Sequence, residues 1–254
     1  MEVLLPLPNN SLLLLPISIT TGRGRAAPKP KRRRHCCRSS VEEIRVCNNR
    51  TCRRQGSLQT LETLAGVAPP SVTVKACGCL GRCGSGPNLV ALPGGVVFGH
   101  CATAARSAEV MVVLCGADPD DAKKSLEALA LRKKAEIELE KGSFLNAESL
   151  LSQAIELKPI GGINIIYKDR SRTRLAMSKY AEALEDAREA LTFRTQYVEG
   201  HICQGDAFLA MNQFDLAEKS YLTALDIDPS IRRSKSFKAR VAKLQEKLAS
   251  VNMP

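Results

Sequence analysis

Two patterns of apolar residues divide the chain after residue 40. In residues 41–117, short runs alternate apolar and polar positions, which is typical of half-buried strands. The alternation predicts strands at residues 41–46, 72–76, 89–92 and 96–98, and two helices at 57–64 and about 103–114. Ser57 and Thr103 are the predicted N-caps of these helices. This order of elements predicts a small mixed α/β layer.

The second pattern, in residues 118–254, repeats small and aromatic residues at fixed positions. Ala147, Ala183 and Ala217 are equivalent and lie 36 and 34 residues apart. Each follows an aromatic residue by three positions and a small residue by twelve, namely Phe144, Tyr180 and Phe214, and Ala135, Ser171 and Gly205. Small residues at matched positions allow helices to approach closely, and stacked helical pairs bury apolar faces that one pair leaves exposed.

This period and these residues resemble the tetratricopeptide repeat (TPR) family. The resemblance implies an all-α TPR solenoid over residues 118–254 with a concave surface that binds a protein partner. The implied boundaries are about 128–161, 164–197 and 198–231 for the repeats, and about 232–250 for a C-terminal capping helix with a solvated basic face.

Many TPR domains bind the acidic C-termini of heat-shock chaperones through a clamp of basic and amide side chains. Alignment on the small residues of each repeat puts other residue types at the clamp positions, which are Arg132, Glu136, Asp169, Glu199 and Cys203. Three of these are acids, and like charges at contact distance oppose binding of a carboxylate. We therefore expect these five residues to contact a basic or apolar extended peptide rather than an acidic chaperone tail.

The ten cysteines of the chain call for a chemical explanation. Cys47 and Cys52 follow the first predicted strand, and Cys79 and Cys83 lie in a glycine-rich loop after the second. Four thiolates are the usual ligands of a 2Fe-2S cluster, and a glycine-rich loop lets backbone N–H groups approach the sulfurs.

The segments VCNNRTCRRQGS and ACGCLGRCGSGPNLVALPGGVVFG resemble the thioredoxin-like 2Fe-2S ferredoxin family over residues of about 43–115. The resemblance implies a thioredoxin-like fold for residues 41–117 and a 2Fe-2S cofactor. The implied ligands are Cys47, Cys52, Cys79 and Cys83, with Cys77 as an alternate. A zinc site and a layer that has lost its cluster stay open as alternatives, although the C-x2-C knuckles usual in zinc ribbons are missing from these residues.

Residues 1–40 carry most of the excess positive charge. They contain eight Lys and Arg residues and one acid, Glu2, whereas the whole chain has a net charge of +11. Their prolines prevent a continuous helix, and their basic residues follow the apolar stretch, unlike those of a secretory signal. The segment resembles a plastid transit peptide, which predicts a location in the chloroplast, in the stroma or on the stromal face of the thylakoid. A basic nuclear-localisation or polyanion-binding tail is the alternative.

These features predict a plastid scaffold or assembly factor for a redox or photosynthetic complex. The alternative is a 2Fe-2S electron carrier that its repeats direct to an acceptor. No phosphate-binding glycine motif is present and the three His are scattered, so we expect no enzyme beyond an electron-transfer component. The rest of the chain is nearly neutral and lacks an apolar run long enough to cross a bilayer, so we expect neither nucleic-acid binding nor an integral membrane segment.

Overall fold

A computed structural model of the chain describes residues 41–116 and 118–251, the last of these by its backbone alone. The predicted transit peptide, residues 1–40, lies outside the described residues and stays a prediction. Within the described part, no helix is long and apolar enough to cross a membrane.

Residues 41–116, called the α/β layer here, contain a four-stranded sheet with the strand order β2-β1-β3-β4. The central strand β1 pairs parallel to β2 and antiparallel to β3, and β4 pairs antiparallel to β3. The strands are β1 Glu43–Cys47, β2 Thr73–Cys77, β3 Leu89–Leu92 and β4 Val96–Phe98. The helices of the layer are α1 Arg50–Arg54, α2 Ser57–Val67 and α3 Ala104–Cys115.

The sheet of the α/β layer is held to its helices by one apolar core. Ile44 and Val46 of β1 are buried against Leu64 of α2 and Val110 of α3. Thr103 caps α3 as predicted, because its Oγ accepts a hydrogen bond from the backbone N–H of Arg106 at 3.1 Å. A small mixed layer is therefore present where the alternation of apolar residues predicts one.

Residues 118–251 form paired helices, and the all-α solenoid predicted for this part of the chain is confirmed. Helices α4 and α5, α6 and α7, and α8 and α9 pair within three repeats, and α10 packs on the last of them. Their bounds are α4 Pro119–Glu140, α5 Phe144–Glu156, α6 Ile163–Ala176, α7 Tyr180–Phe193, α8 Val198–Ala210, α9 Phe214–Ile227 and α10 Lys235–Val251. The three equivalent alanines of the repeats are fully buried, namely Ala147, Ala183 and Ala217.

Polar contacts between α5, α6 and α7 join the first two repeats. Arg170 of α6 donates two hydrogen bonds to Asp186 of α7, at 3.0 and 2.7 Å, and Arg174 Nη1 lies 3.1 Å from the same carboxylate. Arg174 also donates to Glu148 of α5 at 2.8 Å, and Lys179 donates to its other oxygen at 2.8 Å. Two carboxylates are thereby paired with three cations in the part-buried space between the repeats.

The α/β layer packs directly on the first repeat, through contacts of α2 and α3 with α4. The backbone N–H of Gly162 donates to the carbonyl of Ala68 at 3.2 Å. A Cβ atom at Gly161 would lie 1.7 Å from the carbonyl oxygen of Val67, so only glycine fits this approach of two backbones. The layer and the helical array form one compact unit.

Candidate functional site

The structure divides the four predicted ligand cysteines into a buried pair and an exposed pair. Cys47 ends β1 and Cys52 lies on α1, and each is 1% exposed. Cys79 and Cys83 are exposed in the loop between β2 and β3. Cys77, the alternate ligand, is half-buried and lies opposite Cys47 in the β1–β2 register.

Hydrogen bonds join the two pairs of thiols, because Cys47 contacts both Cys52 and Cys79. The sulfurs of Cys79 and Cys83 are 3.7 Å apart, and the backbone N–H of Gly81 points at the Cys79 sulfur at 3.4 Å. The amide of Asn88 donates to the Cys52 sulfur at 3.6 Å. Burial opposes ionisation of Cys47, but hydrogen bonds from backbone N–H groups and neighbouring thiols lower the pKa of this thiol below its usual value. Burial raises the pKa of Cys52, and the adjacent Cys47 raises it further.

The prediction of a 2Fe-2S cluster is wrong. The thiols of Cys47 and Cys79 are in contact, but the described residues contain no group of three or more His, Cys, Asp or Glu side chains that could hold a metal ion. The cysteines that spacing assigned to a cofactor are thiols within a small folded layer.

The predicted partner-binding residues of the first two repeats form ion pairs with one another on α4 and α6. Arg132 Nη1 donates to Glu136 Oε1 at 2.9 Å and to Asp169 Oδ2 at 3.3 Å. Lys168 Nζ lies 2.6 Å from Asp169 Oδ1. The side chains of Arg132 and Asp169 are only 11% and 12% exposed, whereas Glu136 is 46% exposed. The two acids expected to repel a carboxylate are thus neutralised by two cations.

The remaining two predicted residues, on α8, do not share one environment. Glu199 is exposed in the first turn of the helix. Cys203 is buried, and this burial, with a smaller contribution from Asp206, raises the pKa of its thiol to about 12. Cys203 is therefore a neutral core residue and cannot present charge to a ligand.

A groove of about 590 Å³ runs between the end of α4 and the middle of α6. It contains two cations that alignment to the clamp positions did not select, Lys168 and the exposed Arg172. They lie four residues apart on α6, which is the spacing of one helix face and was the available sequence signal. The groove is lined by Glu136, Leu139, Glu140, Phe144, Lys168, Asp169, Arg172, Thr173 and Ala176.

Arg132 lies next to this groove with an unused donor. Its buried Nε has no hydrogen-bond partner among the residues that the structure describes. A ligand carboxylate can instead compete for the Nη1 of Arg132, which now pairs with the half-exposed Glu136. The arrangement is therefore suited to an extended peptide that carries carboxylates.

Comparison with known proteins supports the repeat assignment. Residues 204–231 match the tetratricopeptide repeat family. The chain is 34% identical over 87 residues to the STIP1 homolog of Dictyostelium discoideum, covering 34% of this chain and 15% of that protein. It is 28% identical over 119 residues to the Hsp70-Hsp90 organising protein of Plasmodium falciparum, covering 47% of this chain and 45% of that protein. The chain therefore spans less than half of the length of these relatives.

One solved structure is similar to part of the chain. The first TPR of Spaghetti (RPAP3), bound to the HSP90 peptide SRMEEVD, superposes with a TM-score of 0.43 and 20% identity over 48% of this chain and 94% of that one.

The expectation that the concave surface excludes acidic chaperone tails is wrong. The repeats are similar to those of Hsp70-Hsp90 organising proteins, and two of the three acids on which the expectation rested, Glu136 and Asp169, are engaged in ion pairs. Residue identities at the clamp positions alone overstated the negative charge of the surface, because they ignored Lys168 and the partners of Arg132.

Proposed function

We propose that the TPR array binds the acidic C-terminal segment of a chaperone of the Hsp70 or Hsp90 class, so that the chain acts as a co-chaperone adaptor. The single observation that carries this proposal is the state of Arg132. Its Nη1 is paired with a half-exposed glutamate that a ligand can displace, and its buried Nε has no partner among the described residues. The similarity of the repeats to Hsp70-Hsp90 organising proteins indicates the class of partner.

Binding would proceed by exchange of one carboxylate for another. The pair between Arg132 and Glu136 is partly exposed, and such pairs contribute little because water screens them. A peptide carboxylate can replace Glu136 as the acceptor of the Nη1 hydrogen bond of Arg132. The displaced Glu136 returns to solvent at low cost.

The cations of α6 extend this contact along the peptide. Lys168 and Arg172 line the groove on the side facing α4 and offer donors for further carboxylates. Asp169, which lies between them in sequence, is held by Arg132 and Lys168 and limits the net positive charge. The proposed ligand is therefore an acidic segment bound with moderate rather than extreme salt dependence.

A substitution of Arg132 tests the proposal. Fluorescence anisotropy with labelled SRMEEVD should show saturable binding to the wild-type chain and binding about tenfold or more weaker to Arg132→Ala, since a hydrogen bond to a charged group contributes about 1.5–3 kcal/mol. The matched control is Arg188→Ala, which removes an exposed arginine from α7. Equal loss in both variants, or no binding by the wild-type chain, would refute the proposal.

We also propose that residues 41–116 are a thioredoxin-like layer that serves as a platform for the repeats. The strand order β2-β1-β3-β4, with one parallel pair beside an antiparallel hairpin, supports this assignment. Its helices dock on α4 and lengthen the solenoid at its N-terminal end.

The proposed destination of the chain is the plastid, on the composition of residues 1–40 alone. A fluorescent protein fused after residue 40 should accumulate in chloroplasts, and nuclear or diffuse fluorescence would contradict this. The destination decides which chaperone the repeats meet.

A further inference from the structure

The strand β2 lies at one end of the sheet and offers an edge that no described strand covers. The strand follows the loop that leaves α2, and its residues Lys75 and Ala76 are exposed. Uncovered edges present backbone donors and acceptors to other chains, so proteins usually protect them. No described strand protects this edge of β2, which lies beside the helical repeats.

The register of β1 and β2 identifies which backbone groups of this edge are unused. The N–H of Thr73 donates to the carbonyl of Glu42, and the carbonyl of Cys77 accepts from the N–H of Asn48. In a parallel ladder, alternate residues of a strand bond to the same neighbour. Thr73, Lys75 and Cys77 therefore face β1, whereas Val74 and Ala76 point their N–H and C=O groups away from the sheet.

A groove of about 410 Å³ separates this edge from the repeats. One wall consists of residues 72–75, and the opposite wall consists of the beginnings of α6 and α8 with the connection between α7 and α8. The residues on the opposite wall are Asn164, Ile165, Arg194, Gln196, Tyr197, Val198 and Glu199. The α/β layer thus forms one side of an opening that leads to the inner helices of the solenoid.

Tyr197 connects this groove with the proposed peptide-binding surface. Its ring lines the groove, while its phenol is close enough to Asp169 and Arg132 for their charges to act on it. Burial raises the pKa of Tyr197, Glu199 and Asp169 raise it further, and Arg132 opposes them. Asn164 and Ile165 of this groove lie one turn of α6 before Lys168 and Asp169 of the groove beside Arg132, so a chain leaving the Arg132 region can reach β2 along this face of α6.

The charge of the groove favours the same partner. Two cations, Lys75 and Arg194, border it against one acid, Glu199. Lys75 is 60% exposed and is only loosely paired with Glu43, at 3.4 Å. An extended segment of neutral or mildly acidic character fits this lining better than a basic one.

We propose that the uncovered edge of β2 binds, by β-strand addition, the extended segment that precedes the acidic terminus of the chaperone tail. The inference rests on the proposed function and adds a second contact to it: the carboxylates bind at Arg132, and the backbone upstream pairs with Val74 and Ala76. Main-chain hydrogen bonds supply affinity in this mode of recognition, so a broad range of sequences is accepted upstream. The α/β layer is then part of the binding surface.

Two probes separate this inference from the function on which it rests. One is SRMEEVD, and the other is the same peptide with an N-terminal extension of alternating threonine and valine residues. The wild-type chain should bind the extended peptide about fivefold or more tightly than SRMEEVD, because each added hydrogen bond makes a modest net contribution. If the chain binds neither peptide, the proposed function fails and the inference fails with it. If it binds both equally, only the inference fails.

The protein variant is Ala76→Pro, with Ala76→Val as its matched control. Proline removes the outward N–H of residue 76, and edge strands tolerate proline where that N–H faces away from the sheet. Ala76→Pro should bind SRMEEVD as the wild type does, but it should bind the extended peptide no more tightly than SRMEEVD. Ala76→Val should keep the higher affinity for the extended peptide. A gain that survives in a folded Ala76→Pro chain would overturn the inference.

A second measurement covers the case in which Ala76→Pro does not fold, as judged by circular dichroism. The extended peptide is then N-methylated at alternate residues of its extension, which removes its donors and leaves the protein unchanged. Loss of the gain in affinity supports strand addition, and a retained gain in affinity refutes it.

Sedimentation equilibrium of the wild type tests for another occupant of the edge. A dimer that Ala76→Pro dissociates would assign the edge to a second copy of the chain and overturn the proposal.

Discussion

Arg132 of α4 and Asp169 of α6 lie 3.3 Å apart and join the first two repeats across the concave surface. Both side chains are nearly buried, and Lys168 holds the other oxygen of the same carboxylate at 2.6 Å. The cations that an acidic ligand needs are thus partly occupied by a carboxylate of the chain itself. This internal pairing predicts how the affinity can be raised.

Replacing Asp169 with Asn should increase the affinity for SRMEEVD by about fivefold to tenfold. The substitution removes a like charge from the groove and releases both Arg132 and Lys168 for the ligand. Anisotropy titrations at low and moderate salt measure the change, with the exposed Asp226→Asn of α9 as a control of equal charge. An unchanged or weaker affinity in Asp169→Asn would show that the groove does not receive the carboxylates.

Removal of the Asp186 carboxylate should strongly destabilise the array. The side chain of Asp186 is 3% exposed and is held by Arg170 and Arg174. Loss of one partner from a buried ion pair typically costs about 3–5 kcal/mol, because the other charge stays buried without compensation. Urea unfolding should therefore show a large loss for Asp186→Ala and a change within about 0.5 kcal/mol for Asp226→Ala. Similar losses in the free energy of unfolding of the two variants would contradict the ion pairs of Asp186 with Arg170 and Arg174.

The pKa of Glu148 predicts one part of the acid sensitivity. Burial opposes its ionisation, but hydrogen bonds from Lys179 and Arg174 dominate and hold the pKa below the usual value. A carboxyl with a lowered folded-state pKa contributes stability above its unfolded pKa, and that contribution is lost as the pH falls through the folded-state pKa. Glu148→Gln should be less stable than the wild type at neutral pH, and the difference should shrink under acid. A difference that is constant with pH would contradict the pairing, and the exposed Glu218→Gln provides the control.

The tight junction between the α/β layer and the first repeat predicts a specific sensitivity at Gly161. Its added Cβ would collide with the backbone of Val67, so Gly161→Ala should destabilise the chain by at least about 1–3 kcal/mol. At Gly78, an added Cβ meets no atom of the described residues within 4 Å, so Gly78→Ala is the matched control. Thermal unfolding compares the two variants. Equal melting temperatures would contradict the close approach of the Gly161 backbone to the carbonyl group of Val67.

The division of the cysteines predicts their order of alkylation. N-Ethylmaleimide followed by peptide mapping should modify the exposed Cys79 and Cys83 first. Cys52, Cys101 and Cys203 are buried and should react only when the chain is unfolded. Rapid modification of Cys101 or Cys203 under native conditions would contradict the burial of these two side chains.

Local patterns predicted the helices and strands well where one face is buried. The equivalent alanines of the repeats and the strands of the layer follow from periodicity, because buried faces recur at fixed intervals. Helix α1 escaped prediction because its five residues are too few to show a period, although Asn49 caps it by accepting from the N–H of Arg50 at 2.6 Å. Helix α2 is preceded by Gly56 rather than capped by Ser57, since Gly56 adopts a left-handed conformation with φ of +94°.

The candidate sites depended on contacts that spacing does not contain. Arg132 and Asp169 are far apart in sequence, so their pairing and the resulting neutralisation of the groove are visible only in the folded chain. The cysteine spacing likewise carried no information on burial, which separates Cys47 and Cys52 from Cys79 and Cys83. Residue types at family positions were therefore a poor guide to charge and to chemistry, whereas periodicity was a good guide to the fold.

The most direct test of the proposed peptide binding is calorimetric titration of the full chain with SRMEEVD and with a carboxylate-free peptide in which Gln and Asn replace Glu and Asp and the C-terminus is amidated. We expect saturable binding of the acidic peptide that weakens as salt increases, and binding of the carboxylate-free peptide that is at least about tenfold weaker. Equal binding of the two peptides, or no binding of the acidic one, would contradict the account.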